Sequence, residues 1–245
     1  MLLLNVISVL LDYPDSTLSE CEDEIIGIVE ASDLSLALRS RLIGFIDHHA
    51  RLDLLDWQAQ YDALFERGRS LGLWLFEHVH GESRDRGQAM VDLVNMYHQA
   101  GLELKQAQLP DYIPLYLEFI ATQGEENAKA WLLDVEHILA LLHCRLEKRE
   151  SDYAVLFEAL LQLAGGCVNL NEIRAQVDKE KPDNTAKAID KAWVEEEVTF
   201  SNQSPSKRCG QLVRRPSHAQ QSDRDVPLNW VDPRQHAKVT KGAVK

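Results

Sequence analysis

Leu71–Leu93, reading LGLWLFEHVHGESRDRGQAMVDL, decides how the rest of the chain is read. Wound as a helix, its first half is apolar on every side, so Leu73, Trp74, Leu75, Phe76 and Val79 predict a central buried helix rather than a surface one. Its second half crowds Glu82, Arg84, Asp85 and Arg86 into five residues. Burying charge is costly unless each charge is paired or meets a partner, which makes this ionic knot the first place to look for function.

Outward from the knot, the chain reads as a succession of helices. On the amino-terminal side Leu3, Val6, Ile7, Leu10 and Leu11 keep helical spacing up to Pro14, and Thr17-x-x-Glu20 offers a capping box for a second helix carrying Leu18, Cys21, Ile25 and Ile28. Asp33 is placed to cap a third, with Leu38, Leu42, Phe45 and Ile46 inward. Asp56 is placed to cap a fourth, with Trp57, Tyr61, Leu64 and Phe65 on one stripe before Gly68.

On the carboxyl side a helix from Ser83 or Arg84 to Gly101 buries Met90, Leu93, Val94 and Tyr97, and Asp111 is the expected N-cap of a helix from Tyr112 to Thr122. Trp131, Val135, Ile138, Leu139, Leu142 and Leu146 mark one long helix up to Arg149, and Ser151 starts another that ends at Gly165-Gly166. Ala188, Ile189, Ala192 and Trp193 space a last amphipathic helix before the acidic run at Glu195. No segment alternates like a strand, so the expected fold is all-α, a single bundle of about eight to ten helices. Residues 1–166 form its body, 167–200 a peripheral helical extension, and 201–245, rich in Ser, Gln, Pro and basic residues, a disordered basic tail.

The formal charge of −13 hides a division, because residues 201–245 carry nine Lys and Arg against three Asp and Glu, net +6, which leaves −19 for residues 1–200. An acidic body repels phosphate backbones and anionic lipid heads, which argues against nucleic acid or membrane as its main ligand; it suits a basic partner, and solubility alone also explains it. Cys21, Cys144, Cys167 and Cys209 are too far apart for a Cys-x-x-Cys clip and predict free thiols in a reducing cytosol. The apolar run Leu2–Leu11 has no basic start and is too short to span a bilayer, so the expected location is cytoplasmic, without membrane insertion.

Chemistry-bearing motifs are missing. There is no nucleophile elbow, phosphate loop or dinucleotide fingerprint, which argues against an enzyme. His78 and His80 lie two apart, so on one helix they point about 200° away from each other and cannot share an ion. His78 reads as a satisfied core histidine, and neither a metal nor a cofactor is expected. In the knot, Arg84 and Arg86 read as a structural network neutralising Glu82, Asp85 and Glu77. Carboxylates left free among Glu77, Glu82 and Asp85 would rim a peptide groove floored by Tyr61, Phe65, Leu109, Tyr112 and Leu115.

The run Phe76–Leu93 closely resembles the signature of the NarJ-type chaperones (NarJ and NarW), the nitrate reductase delta subunit family. The flanking Tyr61-x-x-Leu64-Phe65-Glu66-Arg67-Gly68-Arg69 and Leu109-Pro110-Asp111-Tyr112-Ile113-Pro114-Leu115-Tyr116-Leu117-Glu118-Phe119 extend the likeness, which continues to about Phe200. The resemblance implies a helical, cofactor-free chaperone that binds the basic amino-terminal segment of the respiratory nitrate reductase catalytic (alpha) subunit. It keeps the apoenzyme competent for molybdenum cofactor insertion and membrane assembly. On this reading Glu77, Glu82, Asp85, Tyr61, Phe65, Leu109, Asp111, Tyr112 and Leu115 meet the client. Contact with the cofactor, either directly or through molybdenum cofactor delivery proteins, stays open. A chaperone of another molybdoenzyme is the alternative, followed by a small helical metalloprotein or enzyme using the His78–Asp85 region.

Overall fold

The computed structural model describes residues 1–79, 85–104 and 108–191. Twelve α-helices stand among them: α1 Leu2–Leu11, α2 Thr17–Glu20, α3 Glu22–Glu30, α4 Leu36–Ala50, α5 Leu54–Tyr61, α6 Leu75–Val79, α7 Asp85–Gln99, α8 Ile113–Ala121, α9 Glu125–Asp134, α10 Glu136–Lys148, α11 Ala154–Ala164 and α12 Leu170–Val177. A π turn, Asp62–Glu66, continues α5. The chain is all-α, the one β element among the described residues being an isolated antiparallel bridge between Trp74 and Tyr112.

The helices buried on nearly every side are α1, α8 and α11, and not the stretch predicted to be central. Leu3, Leu4, Ile7, Leu10 and Leu11 of α1 are buried against α3, α8 and α11. The one polar side chain buried on α1, Ser8, is satisfied by donating to the Pro114 carbonyl (2.7 Å). Residues 71–74, by contrast, are not helical, and the helix that follows them has five residues. Leu71, Leu73 and Leu75 are buried, Trp74 and Phe76 half-buried, and Val79 exposed. A short apolar run fits an extended segment as well as a helix, and here the Leu73 carbonyl and the Leu75 N–H are taken by the 111–113 segment.

Several helix ends differ from expectation because a different side chain or carbonyl makes the decisive bond. Thr17 lies inside α2 and does not cap it: its own N–H goes to Asp15 Oδ1, the Glu20 N–H goes to the Ser16 carbonyl, and a separate α3 starts after Cys21. Asp53, not Asp56, caps α5 by accepting the Leu55 and Asp56 N–H groups, and Ser35, not Asp33, precedes α4. The long helix expected over Trp131–Arg149 is broken at Val135: the Tyr116 hydroxyl donates to the Trp131 carbonyl (2.8 Å), the oxygen the Val135 N–H would otherwise use. The α7 stripe is narrower than expected, with Leu93 and Tyr97 buried and Met90 and Val94 half-buried. Helix α12 falls where the apolar pattern thins, and Val177 is its one buried residue.

Residues 186–191 are helical, while Ala192, Trp193 and the tail 201–245 lie outside the described residues. The three cysteines described are free, but Cys144 alone is buried. No helix among the described residues is long and apolar enough to cross a membrane.

Candidate functional site

The expected site forms where residues 71–79 cross residues 109–113. The two segments exchange backbone bonds, Leu75 N–H to the Asp111 carbonyl (2.9 Å) and Ile113 N–H to the Leu73 carbonyl (2.8 Å). Asp111 does not cap the helix that follows it, because Tyr112 occupies that position and makes no side-chain cap bond. Its carboxylate reaches across to α6, where Oδ2 accepts the Phe76 N–H (3.2 Å), satisfying a donor left open at a helix start. Asp111 is fully buried, and its Oδ1 has no hydrogen-bond partner among the described residues. Burial pushes this carboxyl above the ordinary range, against the lowering pull of the Phe76 N–H and of Arg86.

Arg86, on the first turn of α7, lies between two carboxylates, 3.7 Å from Glu77 and 3.8 Å from Asp111. It ties α7 to both crossing segments. Glu82 and Arg84 lie outside the described residues, as does the side chain of Asp85, so the rest of the knot carries no geometry. On the other side of α6, His78 Nε2 is 2.8 Å from the Gly72 carbonyl and Nδ1 is 3.4 Å from Arg145 Nη1. That pairing needs Nε2 protonated and Nδ1 free. Burial lowers the imidazole below its usual 6.5, and the Arg145 charge adds to the effect against the Gly72 bond. Among the described residues no group of three His, Cys, Asp or Glu side chains could hold a metal ion.

Beneath the crossing lies an aromatic nest. Tyr61 and Phe65 are buried with ring centroids 4.8 Å apart, and Phe65 meets Tyr153 edge-on at 5.1 Å. Tyr61 donates its hydroxyl to the Leu11 carbonyl (2.9 Å), and Tyr112 donates its own to Asp12 (2.9 Å), which binds the end of α1 to the crossing. The surface above consists of half-buried Trp74 and Tyr112, 5.9 Å apart, with Leu115 half-buried and Leu109 and Tyr13 exposed. Asp12, Glu66 and Glu77 supply negative charge around it.

Of the residues expected to meet a client, Glu77, Leu109, Tyr112 and Leu115 therefore reach the surface, while Tyr61, Phe65 and Asp111 act from below it. Trp74, Tyr13, Asp12 and Glu66 join them without a sequence signal of their own. Trp74 reads as a core residue in the sequence, and the other three stand next to the site only because α1 and the π turn fold back against Tyr112.

Residues 31–159 match the family described as nitrate reductase delta subunit. The chain is 45% identical over 211 residues to the nitrate reductase molybdenum cofactor assembly chaperone NarJ of Escherichia coli (strain K12), covering 86% of this chain and 88% of that one. The chain belongs to the nitrate reductase delta subunit family. Within this family it is also 44% identical over 200 residues to NarW of the same strain, covering 82% of this chain and 84% of that one. To NarJ of Bacillus subtilis (strain 168) it is 32% identical over 158 residues, covering 64% and 85%. The family match spans both segments of the crossing and the whole of α7.

Proposed function

We propose that this protein is a non-catalytic assembly chaperone of respiratory nitrate reductase. It binds the basic amino-terminal segment of the catalytic subunit and keeps the apoenzyme open for molybdenum cofactor insertion and membrane assembly. The observation that carries the reading is the family match over a crossing that presents an apolar and aromatic face ringed by carboxylates. A basic amphipathic helix has the complementary pattern, with apolar anchors on one side and cations on the other. Trp74, Leu109, Tyr112 and Leu115 offer the apolar contacts, and Glu77 with Glu82 and Asp85 the charged rim. Molybdenum cofactor delivery proteins are further partners of the same complex in the cytoplasm.

Long-range attraction by the acidic body speeds encounter, and the apolar face then holds the complex. A synthetic peptide of the catalytic subunit's amino-terminal segment tests this by stopped-flow titration. Raising salt should slow association more than it speeds dissociation. Leu109→Ala with Leu115→Ala should weaken binding by about tenfold or more, or about 1.4 kcal/mol, chiefly through faster dissociation. Association rates indifferent to salt, together with unchanged affinity in the double variant, would place the peptide elsewhere.

A further inference from the structure

Arg86 is held differently from the other arginines of comparable burial. Arg145 and Arg149 donate to Glu180 and Asp183 at 2.7 Å, the length of a charge-assisted hydrogen bond. Arg86 stands 3.7 Å from Glu77 and 3.8 Å from Asp111, beyond hydrogen-bond reach of either. Its guanidinium is attracted to both carboxylates and bonded to neither.

The reason lies in how α7 is seated. Its second half is fixed, with Leu93 and Tyr97 buried and Tyr97 donating to the Pro110 carbonyl (2.7 Å). Its first half buries no side chain from Arg86 to Asp92, so Arg86 reaches the carboxylates from a helix anchored elsewhere and stops short of them. Asp111 is left in deficit: it is fully buried, Oδ2 accepts the Phe76 N–H, and Oδ1 accepts nothing among the described residues. A buried carboxylate oxygen without a donor is costly, and a guanidinium supplies the parallel N–H pair that would satisfy it. A guanidinium carried by a separate peptide is not bound to the seat of α7 and can close to bonding distance. Two guanidiniums crowded on the same carboxylates repel, so one has to leave.

We propose that Arg86 is an internal stand-in for an arginine of the client: the incoming guanidinium takes its place between Glu77 and Asp111, and the first half of α7 lifts from the crossing. The inference rests on the client's basic segment docking at the crossing.

A chain without the stand-in has its cradle open from the start, and its apparent affinity no longer carries the cost of displacement. In titration with a peptide of the catalytic subunit's amino-terminal segment, Arg86→Gln should bind about fivefold more tightly than the parent, although it melts earlier. Glu77→Gln should bind about tenfold more weakly. An arginine that only holds the fold gives the opposite sign, because its loss loosens the crossing. The tightening in Arg86→Gln should vanish with one peptide of a series in which each cation in turn is replaced by glutamine. Hydrogen exchange on the unaltered chain needs no variant: the peptide should speed exchange over Arg86–Asp92. Affinity in Arg86→Gln equal to or weaker than the parent's, or exchange over Arg86–Asp92 that the peptide slows or leaves unchanged, would overturn the proposal. Leu109→Ala with Leu115→Ala separates the two readings. Weaker binding in that pair without tightening in Arg86→Gln keeps the client at the crossing and removes the stand-in alone, whereas unchanged binding in that pair removes both.

Discussion

Asp111 accepts the first free N–H of α6 and faces Arg86 of α7, so one buried carboxylate joins three segments that are distant in sequence. Asp111→Ala removes an acceptor from a buried donor and leaves Arg86 with Glu77 alone, which should cost about 2–4 kcal/mol in urea unfolding. Asp111→Asn keeps an oxygen for the Phe76 N–H and should recover about 1 kcal/mol or more of that loss. Equal losses in the two variants would show that charge, not capping, is what the position contributes. Sequence spacing could not have found this role, because it pairs a capping residue with the helix that follows it, and here the capped helix lies 35 residues earlier. His78 shows the opposite case, since a lone histidine in an apolar run is most often satisfied internally, and both its ring nitrogens have partners. Its folded pKa lies below the unfolded value of 6.5, so below that pH the unfolded chain binds more protons and stability falls as the pH drops. His49, lowered by burial in the same way, adds to that slope. His78→Gln should make melting temperature less dependent on pH below 6.5, and an unchanged slope would assign the effect to His49 and the carboxylates.

Between the π turn and the crossing, residues 67–70 are clamped by α10 and by the segment after α12. Asp183 accepts both the N–H (2.7 Å) and the hydroxyl (2.8 Å) of Ser70, and Arg149 bridges the two side chains at 2.7 Å from each. Arg145 grips Glu180 with two nitrogens and donates to the Ser70 carbonyl (2.8 Å). Gly68 turns at φ +96° directly beneath this clamp, and a Cβ there would lie 2.6 Å from the Asp183 carboxylate. Gly68→Ala should therefore combine left-handed strain with displacement of Asp183, at about 2–4 kcal/mol. Gly165→Ala is the control, since Gly165 is left-handed at φ +69° but nothing lies within 4 Å, and it should cost about 1 kcal/mol. Similar melting temperatures for the two would mean that Asp183 moves freely aside. At this scale legibility followed the width of the buried face. Helices α1, α8 and α11 bury most of their residues and fall where helices are expected, α8 within Tyr112–Thr122 although Asp111 does not cap it, whereas α12 buries Val177 alone and leaves no pattern to read. Leu71–Trp74 misled for the reverse reason, because an all-apolar run carries no period by which to choose between a coiled and an extended backbone.

Over the whole molecule the core is assembled from parts far apart in the chain. Helix α1 is enclosed by α3, α8 and α11, with Ser8 bonded to Pro114. A chain ending after residue 150 lacks α11 and should leave the part of α1 that α11 covers exposed. Dye binding to apolar surface and the loss of a sigmoidal melt would report this, and a cooperative melt in the truncated chain would show that α3 and α8 are sufficient. The same arrangement sets a condition on biosynthesis. Helix α1 leaves the ribosome before the helices that cover it, and the segment that completes its cover follows about 150 residues later, on the order of ten to thirty seconds at ordinary elongation rates. A protein proposed to shelter another chain's unfinished segment thus passes the same interval with the shelter of its own most apolar helix incomplete.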